Sequence, residues 1–499
     1  MSALAISNDK TEKPQVLFAA TPTLFHLVLY GSGEAATSLV LNGLYGFALI
    51  FYTEALGLSP ALAGLALSIS ILWEAVTEPY MGYLSDRTRS RFGTRYPWIA
   101  AGALLISIAF YFIWAVPTQF RGGGSATFFY LVALNLLLRL GLTMFIVPYL
   151  ALGFEVAPAY DDRPRLQGVR WICNMAANMA GPALAWVIFF PDTKAADGHI
   201  VAGISVVDNF VAMGGTFSVA IIVLTILMLW GCRATVRDMR HGRAAKEAVR
   251  NVSFWDDFKP IITDIDVRRV LILIFLMVVG MVIVGSMQSY IYVYFMRFDA
   301  LQKTIVHGST MVAAALGAGL SPWAARRFDK KGAIVLGALL GIIGEVGLAT
   351  AFLPGWMPKT GTTAIAVFIG FQGLYWIASG IMLPVATAMI ADIAELGRLR
   401  TGRTVDGSYS AIFSLAWRAG TSLSLLITGG LLSLAKFDTS GGRAPTSDAV
   451  WWVAALTFLV GMLFYVLTIG WVQRYTLDRE RYAVLTGEAA EQSAGLPTS

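Results

Sequence analysis

The sequence predicts an all-α membrane protein of twelve spanning helices in two groups of six. Three observations lead there. Of its 499 residues, 57% are hydrophobic and only 14% charged, against about 25% charged in an ordinary soluble domain. The apolar residues gather into twelve runs, each long enough to cross about 30 Å of hydrocarbon. The basic residues concentrate in the links on one side of those runs.

The runs cover residues 28–53, 60–84, 97–116, 127–154, 167–190, 209–231, 268–296, 305–327, 332–353, 362–391, 405–434 and 449–473. Backbone groups in lipid need partners within their own segment, so runs of this length are helices. Barrel strands would be about 10 residues long with strict alternation, a pattern the chain lacks. The first, fourth, tenth and eleventh runs carry Gly or polar residues; the second carries two glutamates, Glu74 and Glu78. The N-terminus, MSALAISNDKTEKPQ, has no signal-peptide core, so the first run is expected to remain as a span.

An even number of spans puts both termini on one side. Of 37 Lys and Arg, 27 fall on that side and 7 on the other, with Arg139, Arg170 and Arg418 inside spans. The positive-inside rule therefore places the termini in the cytoplasm of a bacterial inner membrane. The longest link, 232–267, is charged and divides the chain into an N-terminal bundle (1–231) and a C-terminal bundle (268–473), followed by a tail, 474–499. The links after spans two and eight, GYLSDRTRSRFGTR and SPWAARRFDKKGA, echo each other. Six plus six spans with a repeated basic link suggest a duplicated carrier, its binding site between the halves near midplane.

Several functions are disfavoured. The net charge of +6 lies in topogenic links rather than in a nucleic-acid-binding patch. Two cysteines and four scattered histidines give no disulfide framework or metal-ligand spacing. There is no Walker motif and no nucleophile–base constellation, so neither an ATP-driven pump nor a membrane-embedded enzyme is expected, and no cofactor.

Charge inside the spans is the positive signal. An ionisable group at membrane depth costs roughly 2.5–3.5 kcal/mol or more. Glu74 and Glu78 lie one turn apart on one helix face, and two like charges about 6 Å apart cannot both ionise cheaply. The pair is expected to titrate as a unit. It either takes up a proton or cation, or forms salt bridges to Arg139, Arg170 or Arg418. Arg139 and Arg418 could equally bind an anionic group of a substrate. Tyr149, Gln372 and Trp376 could line a pocket for a hydroxylated solute, or simply pack. Asp86, Arg87 and Arg91 could form gating salt bridges at the end of span two, or only set topology.

The segment GYLSDRTRSRFGTRYPW, preceded by WEAVTEP, resembles the signature of the glycoside–pentoside–hexuronide:cation symporters, the melibiose-permease branch of the major facilitator superfamily. YGSGEAATS, IVPYLALGFEVAPAYDDRPRLQGVR and MLPVATAMIADIAELGRLRTGRTVDGSYSAIFSLAWRAG are similar to the family's span-one, span-four and span-ten-to-eleven regions. The resemblance covers nearly the whole chain. It implies the major facilitator fold and symport of a sugar, glycoside or hexuronide with Na+ or H+ by a monomer among membrane lipids.

Residue by residue, the resemblance makes Glu74, Glu78 and Thr143 the cation site, with the two glutamates as metal ligands if the ion is Na+. Arg418 becomes the coupling residue in place of a Lys, Arg170 matches a further family position, and Arg139, one turn from Thr143, is an extra cation outside the family pattern. The family's sugar-contacting acids in spans one and four align with Ser38 and Ile146 here. A substrate role for Ser38 thus comes without a carboxylate, and lysolipid or amphiphile cargo is the alternative.

Overall fold

A computed structural model of the chain describes residues 23–88, 90, 92–156, 162–191, 193–194, 200–201, 203–242, 261–401, 406–437, 445–477, 479–482 and 484–485. All twelve apolar runs are helices. The first, α1 (Leu24–Gly43), continues through π-helical turns to Ala55; it is followed by α2 (Pro60–Arg87), α3 (Tyr96–Trp114), α4 (Ser125–Val156), α5 (Asp162–Ile188) and α6 (Val207–Gly242). The second half opens with α7 (Ile265–Tyr290), which ends in a π turn at Ile291–Phe295. The helical stretch Ala300–Phe352 is broken at Asp329, whose backbone (φ 61°, ψ 170°) is not helical, so it comprises two spans, α8 (300–328) and α9 (330–352). The last three are α10 (Thr362–Thr401), α11 (Asp406–Leu434) and α12 (Ser447–Val472). A short antiparallel pairing of Thr193–Lys194 with Ile200–Val201 lies between α5 and α6.

The helices start where local chemistry lets them. Asp299 opens α8 with a reciprocal capping box: its carboxylate accepts from the Gln302 amide (2.8 Å), and Gln302 Oε1 accepts from the Asp299 amide (3.0 Å). Pro60 begins α2, where a missing N–H costs nothing. α6 runs past its apolar stretch to Gly242, because RATVRDMRHG contains good helix formers outside the lipid. The rest of the middle link (243–260), residues 1–22 and the end of the tail fall outside the described residues.

Among the described residues, nine segments are long and apolar enough to cross a membrane, with Ala300–Phe352 counted once; α5 and α11 are not among them. Those two are the polar helices, and protein shelters them. α5 packs on α1 and, through Thr304, on α8; α11 packs on α2 and α7. Their polar faces meet other helices rather than lipid.

The two halves repeat each other with an offset of 240 residues. In the first, the amides of Leu56 and Leu58 bond to the carbonyls of Phe51 and Tyr52; in the second, Met296 and Phe298 bond to Ile291 and Tyr292. Gly57 and Arg297, equivalent in this register, both have positive φ (67° and 54°). Glu54 and Tyr294 are also equivalent, and the Tyr294 hydroxyl donates to the Glu54 carboxylate. Residues that meet their own counterparts lie on the pseudo-two-fold axis, so this contact marks the axis at the end of the molecule where α1 turns into α2 and α7 into α8.

That end of the seam is closed. Ser289 donates to the Gly46 carbonyl (3.0 Å), Tyr290 shares a hydrogen bond with Thr53 (2.8 Å), and Thr304 donates to Ala183 (3.1 Å). Gly64 of α2 and Gly429 of α11 let two backbones touch: a Cβ on Gly429 would lie 2.3 Å from the Pro60 carbonyl oxygen. Gly429→Leu is therefore expected to wedge this end open, because rigid backbone cannot give way as a side chain would. The measurement is labelling of a Ser68→Cys reporter, buried beside Ser422, with a membrane-impermeant maleimide; unchanged protection in the Gly429→Leu background would count against a seam that closes here.

Candidate functional site

Two polar clusters lie within the N-terminal half and on its border with the other. The first is built on α2. Glu74 is 2% exposed and Arg139 of α4 is 2% exposed. Arg139 donates to Glu74 at 2.9 Å, and its guanidinium also lies over the Tyr45 ring (5.8 Å to the centroid). Arg418, on α11 of the opposite half, reaches across the seam. One of its terminal nitrogens lies 2.5 Å from the same Glu74 oxygen, and the other donates to Glu78. Two carboxylates and two guanidinium groups thus form one charge-balanced chain: Arg139, Glu74, Arg418, Glu78. Glu78 is the open end of the chain, its side chain 22% exposed and paired with Arg418.

Thr143 is fully buried on α4 and shares a hydrogen bond with Thr77 (3.2 Å). It stands beside the glutamates through Thr77, which lies between them on α2 and also donates to the Glu74 carbonyl (3.2 Å). The predicted residues Glu74, Glu78, Arg139, Thr143 and Arg418 are therefore neighbours. Arg170 is not among them.

Arg170 belongs to the second cluster, a polar zipper between α1 and α5. Glu34, Ser38 and Asn42 follow at i, i+4, i+8 on α1; Arg170, Asn174 and Asn178 do the same on α5. The stripes meet in register. Arg170 pairs with Glu34 (2.5 Å), Asn174 donates to Ser38 (2.7 Å), and Asn42 donates to Asn178. Asn178 also donates to Asn174 Oδ1 (2.8 Å). The Arg170 guanidinium lies 5.3 Å from the centre of the Tyr149 ring, which stacks on Tyr30 (4.6 Å). The two tyrosine hydroxyls donate to each other's backbone carbonyls (2.8 and 3.2 Å), which fixes both rings.

The remaining predicted residues lie elsewhere. Gln372 of α10 lines a narrow pocket inside the C-terminal half. Trp376, one turn on, sits edge-on to Tyr375 (5.6 Å) and faces Gly285 of α7. Arg87 is exposed at the end of α2. The Asp86 side chain and Arg91 fall outside the described residues. Sequence reading missed Thr77, Asn42, Asn174 and Asn178. The i, i+4, i+8 spacing on two separate helices was the signal that could have found the asparagines.

A twelve-helix pair of six-helix bundles with an ion network across its seam is a secondary transporter of the major facilitator fold, not an enzyme. A solved bacterial homologue of the iron transporter ferroportin, in an inward-facing state, superposes with a TM-score of 0.62 at 15% identity over 91% of this chain and all of that one. The chain belongs to the MFS/sugar transport protein family, whose model matches residues 29–479. This is the glycoside–pentoside–hexuronide:cation symporter family that the motifs implied. A putative glycoside/cation symporter of Escherichia coli (YagG) is 23% identical over 93% of this chain and 96% of its own length. The sodium-dependent lysophosphatidylcholine symporter 1-A of Danio rerio is 22% identical over 86% and 81%.

Proposed function

We propose that this protein carries a sugar, glycoside or hexuronide across a bacterial inner membrane, both termini cytoplasmic, by symport with a cation bound through Glu78 and Glu74. The observation that carries this is Arg418: a residue of one half holds both α2 carboxylates of the other. Neutralising Glu78 removes one of the two anchors of Arg418 and weakens the tie across the seam. Loading the cation and moving the halves thereby become one event.

The arrangement suits a proton better than a sodium ion. Hard cations gather several oxygen ligands at once. Here the bonded carboxylate oxygens already accept guanidinium donors, and among the described residues no three acidic, Cys or His side chains gather. A proton needs one oxygen, and Glu78 offers the most open one.

The α1–α5 zipper supports a hydroxylated substrate. Amides, a hydroxyl, a carboxylate and a guanidinium in register are the groups that read hydroxyls, with Tyr149 as an aromatic wall. Glu34 supplies a carboxylate one turn from Ser38, where the family's acid is missing. Asn174→Ala is expected to raise KM about tenfold, the worth of one hydrogen bond, with little change in melting temperature. Equal KM values would remove the zipper from the substrate site.

Amphiphile cargo is the second reading, favoured by the apolar Ile146 where the family's other acid would stand. Uptake into proteoliposomes of a panel of sugars, uronates and lysophospholipids, with Na+ and pH gradients imposed separately, decides among these. Accumulation of sugars or uronates driven by a pH gradient is the expected result. Accumulation of lysophospholipid alone, or none under any gradient, would sink the proposal.

A further inference from the structure

The C-terminal half contains an acid that the coupling cluster does not use. Glu345 on α9 is 1% exposed, and neither carboxyl oxygen has a hydrogen-bond partner. It faces a narrow pocket walled by Val284, Gln288, Phe368, Gln372, Thr457 and Phe458, with no room for a water molecule. Two of the polar neighbours are already engaged. Gln288 donates to the Tyr292 hydroxyl, and Thr457 donates to the Val453 carbonyl (2.7 Å). The titratable groups that face Glu345 from packed helices are Tyr375 of α10 and Tyr465 of α12. Tyr375 donates to the Gly280 carbonyl (3.3 Å), and Tyr465 bonds to Ser379 Oγ (3.0 Å). Among the described residues no cation pairs with Glu345.

An unpaired carboxylate cannot persist in such a place, whereas a neutral carboxylic acid can. The pocket is also tied to the moving part of the molecule. Gln288 is followed by Ser289 and Tyr290, the residues that bond to Gly46 and Thr53 of the other half. Parting of the halves at this end would pull on the pocket wall itself.

We propose that Glu345 is a second proton-binding site, separate from Glu74 and Glu78, holding its proton while the seam is closed and exchanging it when the end of α7 moves. The site goes beyond the symport reading and lies in the half of the molecule that contributes only Arg418 to the first cluster.

Two measurements test it without a transported substrate. The infrared spectrum of the purified protein in lipid at neutral pH, wild type minus Glu345→Gln, is expected to contain a protonated-carboxyl C=O band. In the wild type, dicyclohexylcarbodiimide, which attacks protonated carboxyl groups in apolar surroundings, is expected to modify Glu345. Labelling should be lost as pH is raised and should be indifferent to Na+. Peptide mapping separates an adduct at Glu345 from one at Glu74 or Glu78, so failure here is distinct from failure of the coupling assignment. Absence of the carbonyl band would overturn the proposal by showing an ionised group. Absence of labelling at every pH would overturn it by showing an inert core acid. Protection by Na+ would overturn it in favour of a metal-ion site. The labelling experiment uses the wild type, so it stands even where Glu345→Gln folds poorly.

Discussion

Glu78→Gln is expected to abolish accumulation of substrate against a gradient in proteoliposomes while leaving exchange of substrate between the two sides. Glutamine is the isostere of the protonated acid, so the variant is held in its loaded form and has no charge to regain. The Arg418 side chain keeps Glu74 at 2.5 Å, so the seam is weakened rather than broken and the helices still move. The accumulation ratio should fall to one, whichever ion gradient is applied. Glu74→Gln is expected to behave differently, because Glu74 is 2% exposed and joins both arginines. Its loss leaves Arg139 buried without its anion, so a stability defect accompanies the transport defect. Wild-type accumulation in Glu78→Gln would end the assignment of Glu78 as the coupling group.

Arg139→Met is expected to destabilise the protein by about 3–5 kcal/mol, the usual cost of removing one partner from a buried ion pair. Arg418 still reaches Glu74, which pulls the effect toward the lower end. Methionine fills much of the volume of the arginine stem, so the loss reports charge rather than a cavity. Adding Glu74→Gln to Arg139→Met should recover much of the stability, because the orphaned charge is gone. Thermal unfolding of the four proteins in one detergent completes a double-mutant cycle. A coupling energy near zero would mean that the pair is not a unit. Retention of transport in Arg139→Met would make Arg139 a resident counter-ion and not a substrate ligand.

The two clusters differ in how far the sequence exposed them. Glu74 and Glu78 announced themselves by spacing and by the cost of charge in lipid. Glu34 did not, because an acid near a helix end can reach water cheaply. Its significance comes from Arg170, 136 positions away. Asn174 and Asn178 were hidden for another reason: amides are inexpensive enough in a span to pass as unremarkable polar residues. Only their register against α1 gives them a role. Glu345 lies inside the apolar run 332–353, but nothing in its neighbourhood along the chain says that both oxygens lack partners.

The sequence by itself determined the helices, their number, the division into two halves and the presence of charges that lipid does not tolerate. Those properties follow from local hydrophobicity and from the penalty for unpaired backbone and ionised groups in hydrocarbon, and both act segment by segment. Only the tertiary structure decided which charge meets which. Arg139, Arg170 and Arg418 were all candidates for the glutamates of α2, with Arg418 singled out only by the family resemblance. The packing of α4 and α11 against α2 brought in two of them, and the packing of α5 against α1 gave the third to Glu34. Helix neighbours are set by shape complementarity summed over whole helix faces, such as the glycine contact of α2 with α11. No span carries that information alone.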